Sequence, residues 1–283
     1  MSKQSLFYII GAALCIAGLV LVLAFTSAGL NIIGGVLFLL GCVAGLMFTH
    51  APTIARRELG GFFYSPIAYI LMAAYLGVIA FIFCAGIQAS GRAQTEQTFG
   101  IMMFLSLFIC PVITMRLLAE EARLGTLETM TTAPITDFEL TIGKFVGAFL
   151  FYLILNIPTL VFVLVLSLAG KPDYGTIIAS YVGIVLFGAM LISVGLLVSA
   201  FTKNQVISAF VSFVATFLLY LVGIMGRNAP GIPGKVISYI GAATHYMDFT
   251  RGMIMSQHVL YYITLCVFFL FLTVRTVESH RWR

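Results

Sequence analysis

The side chains able to do polar chemistry gather in one stretch. Arg116, Glu120, Glu121, Arg123, Glu128, Asp137, Glu139 and Lys144 fall close together, with long apolar runs on both sides. Leu117, Leu124 and Leu127 recur at helical spacing, with Leu118 beside the first, and the glutamates and Arg123 occupy the positions between them. That period predicts a short amphipathic helix, apolar on one side and charged on the other. Pro134 is expected to end it, because proline lacks an N–H and disfavours helix in the residue before it. Thr136-Asp-Phe-Glu139 then reads as a capping box that starts a new helix. The chemistry of such a stretch is recognition: charge and hydrogen bonds offered at a water boundary to something soluble. A solvated loop carrying ordinary surface charge is the competing reading. The agreement of amphipathic period, proline stop and capping box favours the docking platform.

The rest of the chain must carry that platform. Of 283 residues 61% are apolar and only 9% charged, against roughly 25% charged in soluble domains. The composition is that of a polytopic all-α membrane protein, a transmembrane helical bundle. Runs of apolar residues predict about eight spans, near 5–25, 30–49, 66–87, 99–118, 138–168, 176–200, 205–226 and 258–276. The first resembles a signal peptide, but its run from Leu6 to Phe25 is longer than the usual signal core and is expected to stay as a span. The fifth is too long for a simple crossing, so its inner end is expected to project into water and Pro158 to kink its outer half. Ala51–Ser65, with Arg56, Arg57 and Glu58 among Leu59, Phe62, Phe63 and Tyr64, suits a helix lying along the membrane surface before Pro66 opens the next span. The Arg227–Gln257 segment, with Pro230, Pro233 and several glycines, is expected to form short helices at the outer interface.

Orientation follows from lysine and arginine. With both termini in the cytoplasm, ten lie inside (Lys3, Arg56, Arg57, Arg116, Arg123, Lys144, Lys203, Arg275, Arg281, Arg283) and five outside (Arg92, Lys171, Arg227, Lys235, Arg251), which accounts for all 15. That satisfies the positive-inside rule and puts the platform in the cytoplasm. The same juxtamembrane charge explains the net +5 without a nucleic acid partner.

Several activities lose support. Ion-coupled carriers usually place ionisable groups within the membrane, and here those groups lie at span ends. Asn31 and Asn156 are the polar exceptions, and a lone asparagine is more often an interhelical hydrogen bond than a ligand. Gly231-Ile-Pro-Gly234-Lys235-Val236 lacks the spacing and the hydroxyl of a phosphate loop, and neither a His-Glu-x-x-His helix nor a nucleophile elbow is present. The five cysteines sit singly in apolar runs and read as small hydrophobes. His245, Asp248 and Arg251, at intervals of three, read as a surface hydrogen-bonded cluster rather than a metal site. Gly143-x-x-x-Gly147, like Gly41-x-x-x-Gly45, reads as close helix packing within the chain. No catalytic or nucleotide-binding constellation emerges, so the chain is not expected to be an enzyme. A platform without a motor implies that a separate ATPase supplies the work.

These residues resemble the ABC-2-type permeases, the membrane subunits of ATP-binding-cassette exporters. The resemblance runs through Arg57-Glu58-Leu59, Ser65-Pro66-Ile67-Ala68-Tyr69, Met115–Phe145, Gly195–Gln205 and Glu278–Arg283, and looks most like the gliding-motility-associated subfamily. It implies two regions: residues 51–283 as the permease domain, with a six-span core, and 1–50 as an added two-span hairpin. It further implies an elbow helix bearing Arg56, Arg57 and Glu58, and an ATPase-docking region comprising Glu120, Glu121, Arg123, Leu124, Gly125, Thr126, Leu127, Glu128 and Pro134. The expected partners are ABC ATPase subunits, which would bind the ATP and magnesium, membrane lipid, and a second permease, identical or carrying an extracytoplasmic domain. No cofactor is expected in this chain. The expected site is the bacterial inner membrane and the expected activity is export by alternating access. A non-transporting, force-transmitting scaffold is the second expectation, and an ion-coupled carrier the third.

Overall fold

The computed structural model describes residues 50–90, 95–125, 136–169, 173–228, 237 and 239–280. The hairpin expected over 1–50, and with it the count of eight spans, lies outside those residues except for His50. Among the described residues the chain is entirely helical. It contains α1 (Ala51–Phe63), α2 (Pro66–Ser90), α3 (Thr95–Thr114), α4 (Ala119–Leu124), α5 (Asp137–Asn156), α6 (Leu160–Ala169), α7 (Tyr174–Phe201), α8 (Gln205–Asn228), α9 (Ala242–Thr250) and α10 (Ser256–His280). Six segments are long and apolar enough to cross a membrane: Pro66–Gly86, Glu96–Leu124, Asp137–Leu168, Tyr174–Phe201, Gln205–Gly226 and Ser256–Ser279. They match the last six expected spans.

α7 is the central post. It packs against α3, α5, α8, α9 and α10, and Ile184, Phe187, Met190, Leu191, Ile192 and Leu196 along it are wholly buried. Close approach depends on glycine. A Cβ on Gly188 would sit 2.1 Å from the Tyr152 ring, and one on Gly183 would sit 2.8 Å from Phe249. Asn156 makes the expected interhelical hydrogen bond, accepting from the Tyr75 hydroxyl at 2.8 Å while its amide donates to the Tyr152 carbonyl at 2.8 Å. Immediately after Asn156 the long span breaks. Ile157–Thr159 form a single 3-10 turn containing Pro158 before α6 resumes, as proline in a helix requires.

α1 lies directly along the N-terminal half of α5. Gly143 and Gly147 are the reason: a Cβ on the first would meet Ile54 Cβ at 2.7 Å, and on the second Glu58 Cβ at 2.8 Å and the Ala55 carbonyl at 3.0 Å. α1 is the expected amphipathic helix. Ala51, Ile54, Ala55 and Phe62 are buried, while Arg56 and Arg57 are exposed.

Gly188→Ala is expected to destabilise the purified chain by about 1–3 kcal/mol, the usual cost of forcing extra volume into a packed core. Gly77→Ala, where a Cβ meets nothing within 4 Å, should leave it unchanged or slightly more stable. Detergent-titrated unfolding followed by circular dichroism checks the pair.

Candidate functional site: a coupling platform

Around the polar stretch the structure builds an ionic knot. Lys144, in the second turn of α5, is only 1% exposed, and its Nζ lies 3.0 Å from Glu58 Oε1 of α1 and 2.7 Å from Glu121 Oε1 of α4. Arg57 Nη2 reaches the same two oxygens, each at 3.1 Å. Two cations and two carboxylates thus alternate across three helices. An ammonium taken out of water is tolerated only with opposite charge in contact, so the knot fixes α1, α4 and α5 relative to one another.

Further contacts complete the anchorage. Arg116, after the end of α3, places its guanidinium 4.2 Å from the centre of the Phe62 ring, and Phe62 stacks on Phe151 of α5 at 4.7 Å. Arg116 therefore binds the elbow helix through its π face, a favourable cation placement. The start of α4 is held from α7. Ser199 Oγ accepts from the Leu118 and Ala119 amides at 3.1 and 3.0 Å, a helix cap supplied from the far side of the sequence. The expected capping box is present on α5: Thr136 Oγ1 accepts from the Glu139 amide at 3.2 Å and Glu139 Oε2 from the Thr136 amide at 3.0 Å. Glu139 Oε1 also accepts from the His50 amide at 3.3 Å, which ties the start of α1 to the start of α5.

The expected docking residues distribute unequally. Glu121 and Glu58 turn into the knot, Leu117 and Leu118 are buried, and Arg123, Leu124 and Gly125 face outward. Leu117 and Leu124 therefore do not share one apolar face. The helix they were expected to share stops at Gly125, whose φ of 72° is the left-handed conformation that ends helices and suits glycine. A Cβ there would meet nothing within 4 Å, so conformation rather than crowding calls for glycine. Glu120 is half-buried and Arg56 exposed. Thr126, Leu127, Glu128 and Pro134 lie outside the described residues. Lys144 as the hub and Ser199 as the cap were not read from the sequence as partners of this site. A lysine following a glycine within an otherwise apolar helix was the available signal for the first; a serine in an apolar span gave none for the second.

α4 is thus joined through Glu121 to α1 and α5, and through the Ser199 cap to α7, at one end of the six described spans. The family model described as ABC-2 family transporter protein matches residues 85–275, well over half of the chain. The chain belongs to the ABC-2 transporter family. No curated protein matches it. As an ABC-2 permease it is a multi-pass membrane protein and the membrane part of an ABC transporter, and its family implies an ABC ATPase as partner.

In this permease, removing one member of the knot should cost more than its surface-exposed member contributes. Lys144→Met is expected to lower unfolding stability by about 3 kcal/mol, since it leaves Glu58 and Glu121 facing each other. Glu121→Gln in the same chain should restore part of the loss. Arg57→Gln, at a side chain 56% exposed, should cost about 1 kcal/mol or less. Equal losses for Lys144→Met and Arg57→Gln in denaturant titration would remove Lys144 from the centre of the knot.

Proposed function

We propose that this chain is the permease subunit of an ATP-driven exporter in a bacterial inner membrane, with both termini in the cytoplasm. A separate ATPase docks on the Glu120–Thr131 region. The carrying observation is the division of labour on α4: one face is committed to the knot and the Ser199 cap, while Arg123 and Leu124 point away from the bundle, Leu124 at 62% exposure. An exposed leucine beside an arginine, on a helix too short to hold itself in place, suits a partner's cleft.

The mechanism follows from the lashings. Movement of α4 by the ATPase would pull α1 through Arg57 and Glu58, α5 through Lys144, and α7 through Ser199. Spans so joined would tilt together, and the Pro158 break would let the outer part of the long span move apart from its inner part. Two permeases working so around a shared pathway would expose it alternately to the two sides of the membrane. The second permease would be a second copy or a related subunit with an extracytoplasmic domain, as in the gliding-motility-associated subfamily that the motifs resemble. ATP and magnesium would be bound by the ATPase, this chain contributing no catalytic residue.

Arg123→Glu combined with Leu124→Asp should reduce ATPase co-purification and transport-coupled hydrolysis about tenfold or more, which corresponds to about 1.4 kcal/mol of lost docking energy. Stability of the isolated chain should stay unchanged. A cysteine at position 123 should label only from the cytoplasmic side. Normal assembly and turnover in the double variant, or labelling from outside, would overturn the reading.

A further inference from the structure

Outside the knot, most charged side chains either find a partner or are exposed. At the end of α7 away from Ser199, Arg251 turns to Glu96 at 3.8 Å. His245 and Asp248, expected to join it in one cluster, turn to His258 instead. Arg275 pairs with Glu278 at 2.9 Å, and Arg56 and Arg123 are exposed. Arg116 is different. It is half-buried toward the platform end of the span that contains α3. Among the described residues no ion pair or hydrogen bond engages its guanidinium, and Glu120 and Glu58 act on it only from a distance. The Phe62 ring at 4.2 Å attracts the charge, but a ring carries no lone pair to match the five N–H donors of an arginine. A half-buried cation with its donors unspent calls for an acceptor from outside the chain.

Beside Arg116 runs an open groove. Phe62, Ala68, Leu71, Ile113 and Phe151 help to wall it, and its only polar lining residues are Arg116 and Ser65. It lies where α1, α2, α3 and α5 meet. The surface leading to it is apolar as well: Ile67, Tyr69 and Ile70, in the first turns of α2, are 49%, 56% and 68% exposed. They belong to a span, so this is a surface suited to acyl chains. An arginine at the end of a span stands at the level of lipid headgroups, directly beside a path for hydrocarbon.

We propose that this groove binds an anionic phospholipid, its phosphate paired with Arg116 and one acyl chain laid between α2 and α3. A phosphate offers two acceptors to the planar fork of a guanidinium, and a basic pocket between spans is a recognised form of lipid site. The apolar walls select a membrane lipid over dissolved phosphate. The lone positive charge selects an anionic headgroup over a choline one, whose own cation opposes it. The bound lipid joins the α1–α2 turn at Ser65 to Arg116, three residues before α4 begins at Ala119. Anionic lipid thereby becomes one more anchor of the platform. The inference requires only that the chain sits in a bilayer, and it does not depend on what docks at α4.

Native mass spectrometry of the full chain in neutral detergent, titrated with phosphatidylglycerol or phosphatidylcholine, reads the binding. The first phosphatidylglycerol should bind about tenfold more tightly than phosphatidylcholine, the scale of one hydrogen bond to a charged group. Arg116→Gln should erase that difference and leave phosphatidylcholine binding as it was. Arg116→Lys should restore only part of it, because an ammonium keeps the charge and lacks the fork. Lys203→Gln, which removes an exposed cation between α7 and α8, should change neither lipid. A diazirine-bearing phosphatidylglycerol photolysed with the unaltered chain should label residues 62–71 and 112–116. Equal binding of the two lipids, undiminished phosphatidylglycerol binding in Arg116→Gln, or an equal loss in Lys203→Gln would overturn the proposal. So would displacement of the lipid by inorganic phosphate, or labelling confined to other segments. The labelling decides it even if the Arg116 variants fail to fold.

Discussion

A lysine ammonium almost wholly shielded from water cannot remain where it is unless opposite charge comes to it, and much of this molecule is arranged around meeting that condition at Lys144. Glu58 and Glu121 approach from two other helices, and Arg57 balances the pair of carboxylates from the solvent side. The knot is neutral overall, with two charges of each sign. Arg57 and Glu58 are neighbours in sequence, but Glu58 and Glu121 reach Lys144 from other helices, so the lysine is not satisfied locally. Elbow helix, platform helix and long span are therefore placed relative to each other by one requirement of electrostatics. Gly143 and Gly147 serve the same end by letting α1 come close enough for Glu58 to reach.

The interior continues the connection by hydrogen bonds rather than charge. Tyr75, Asn156, Tyr152 and Ser106 link α2, α3 and α5 just before the long span breaks at Pro158. Thr159 in the break donates to the Asn156 carbonyl at 2.6 Å and lies 2.9 Å from the Tyr181 hydroxyl of α7. A proline turn beside a satisfied polar seam is a defined place for a span to bend, because its backbone groups have partners on both sides of the missing N–H. α5, the Ile157–Thr159 turn and α6 lie in sequence along the one long span.

α7 joins the two ends of this arrangement. Near its C-terminus Ser199 caps the platform; toward its N-terminus Gly183 receives α9 and Ser180 lies near the Phe249 carbonyl. A largely buried helix in contact with both joins them mechanically, since packed cores move as units rather than deform continuously.

The amino-acid order by itself determined the class of protein, the six described spans, the elbow helix, the capping box at Thr136, the break at Pro158 and the hydrogen-bonding role of Asn156. All of these are local: hydrophobic length, helical period, and the chemistry of single residues toward their own backbone. The order also brought Arg57, Glu58, Glu121 and Lys144 to notice as charge in an apolar chain, yet it gave no means of pairing them. It placed His245 and Asp248 on one helix but left out His258, which belongs to the next. Only the tertiary structure decided those partnerships, together with the Ser199 cap and the end of α4 at Gly125. The physical reason is range: helix period and capping act over three or four residues, whereas burying a charge or a polar atom selects whichever partner the fold brings near, at any distance along the chain.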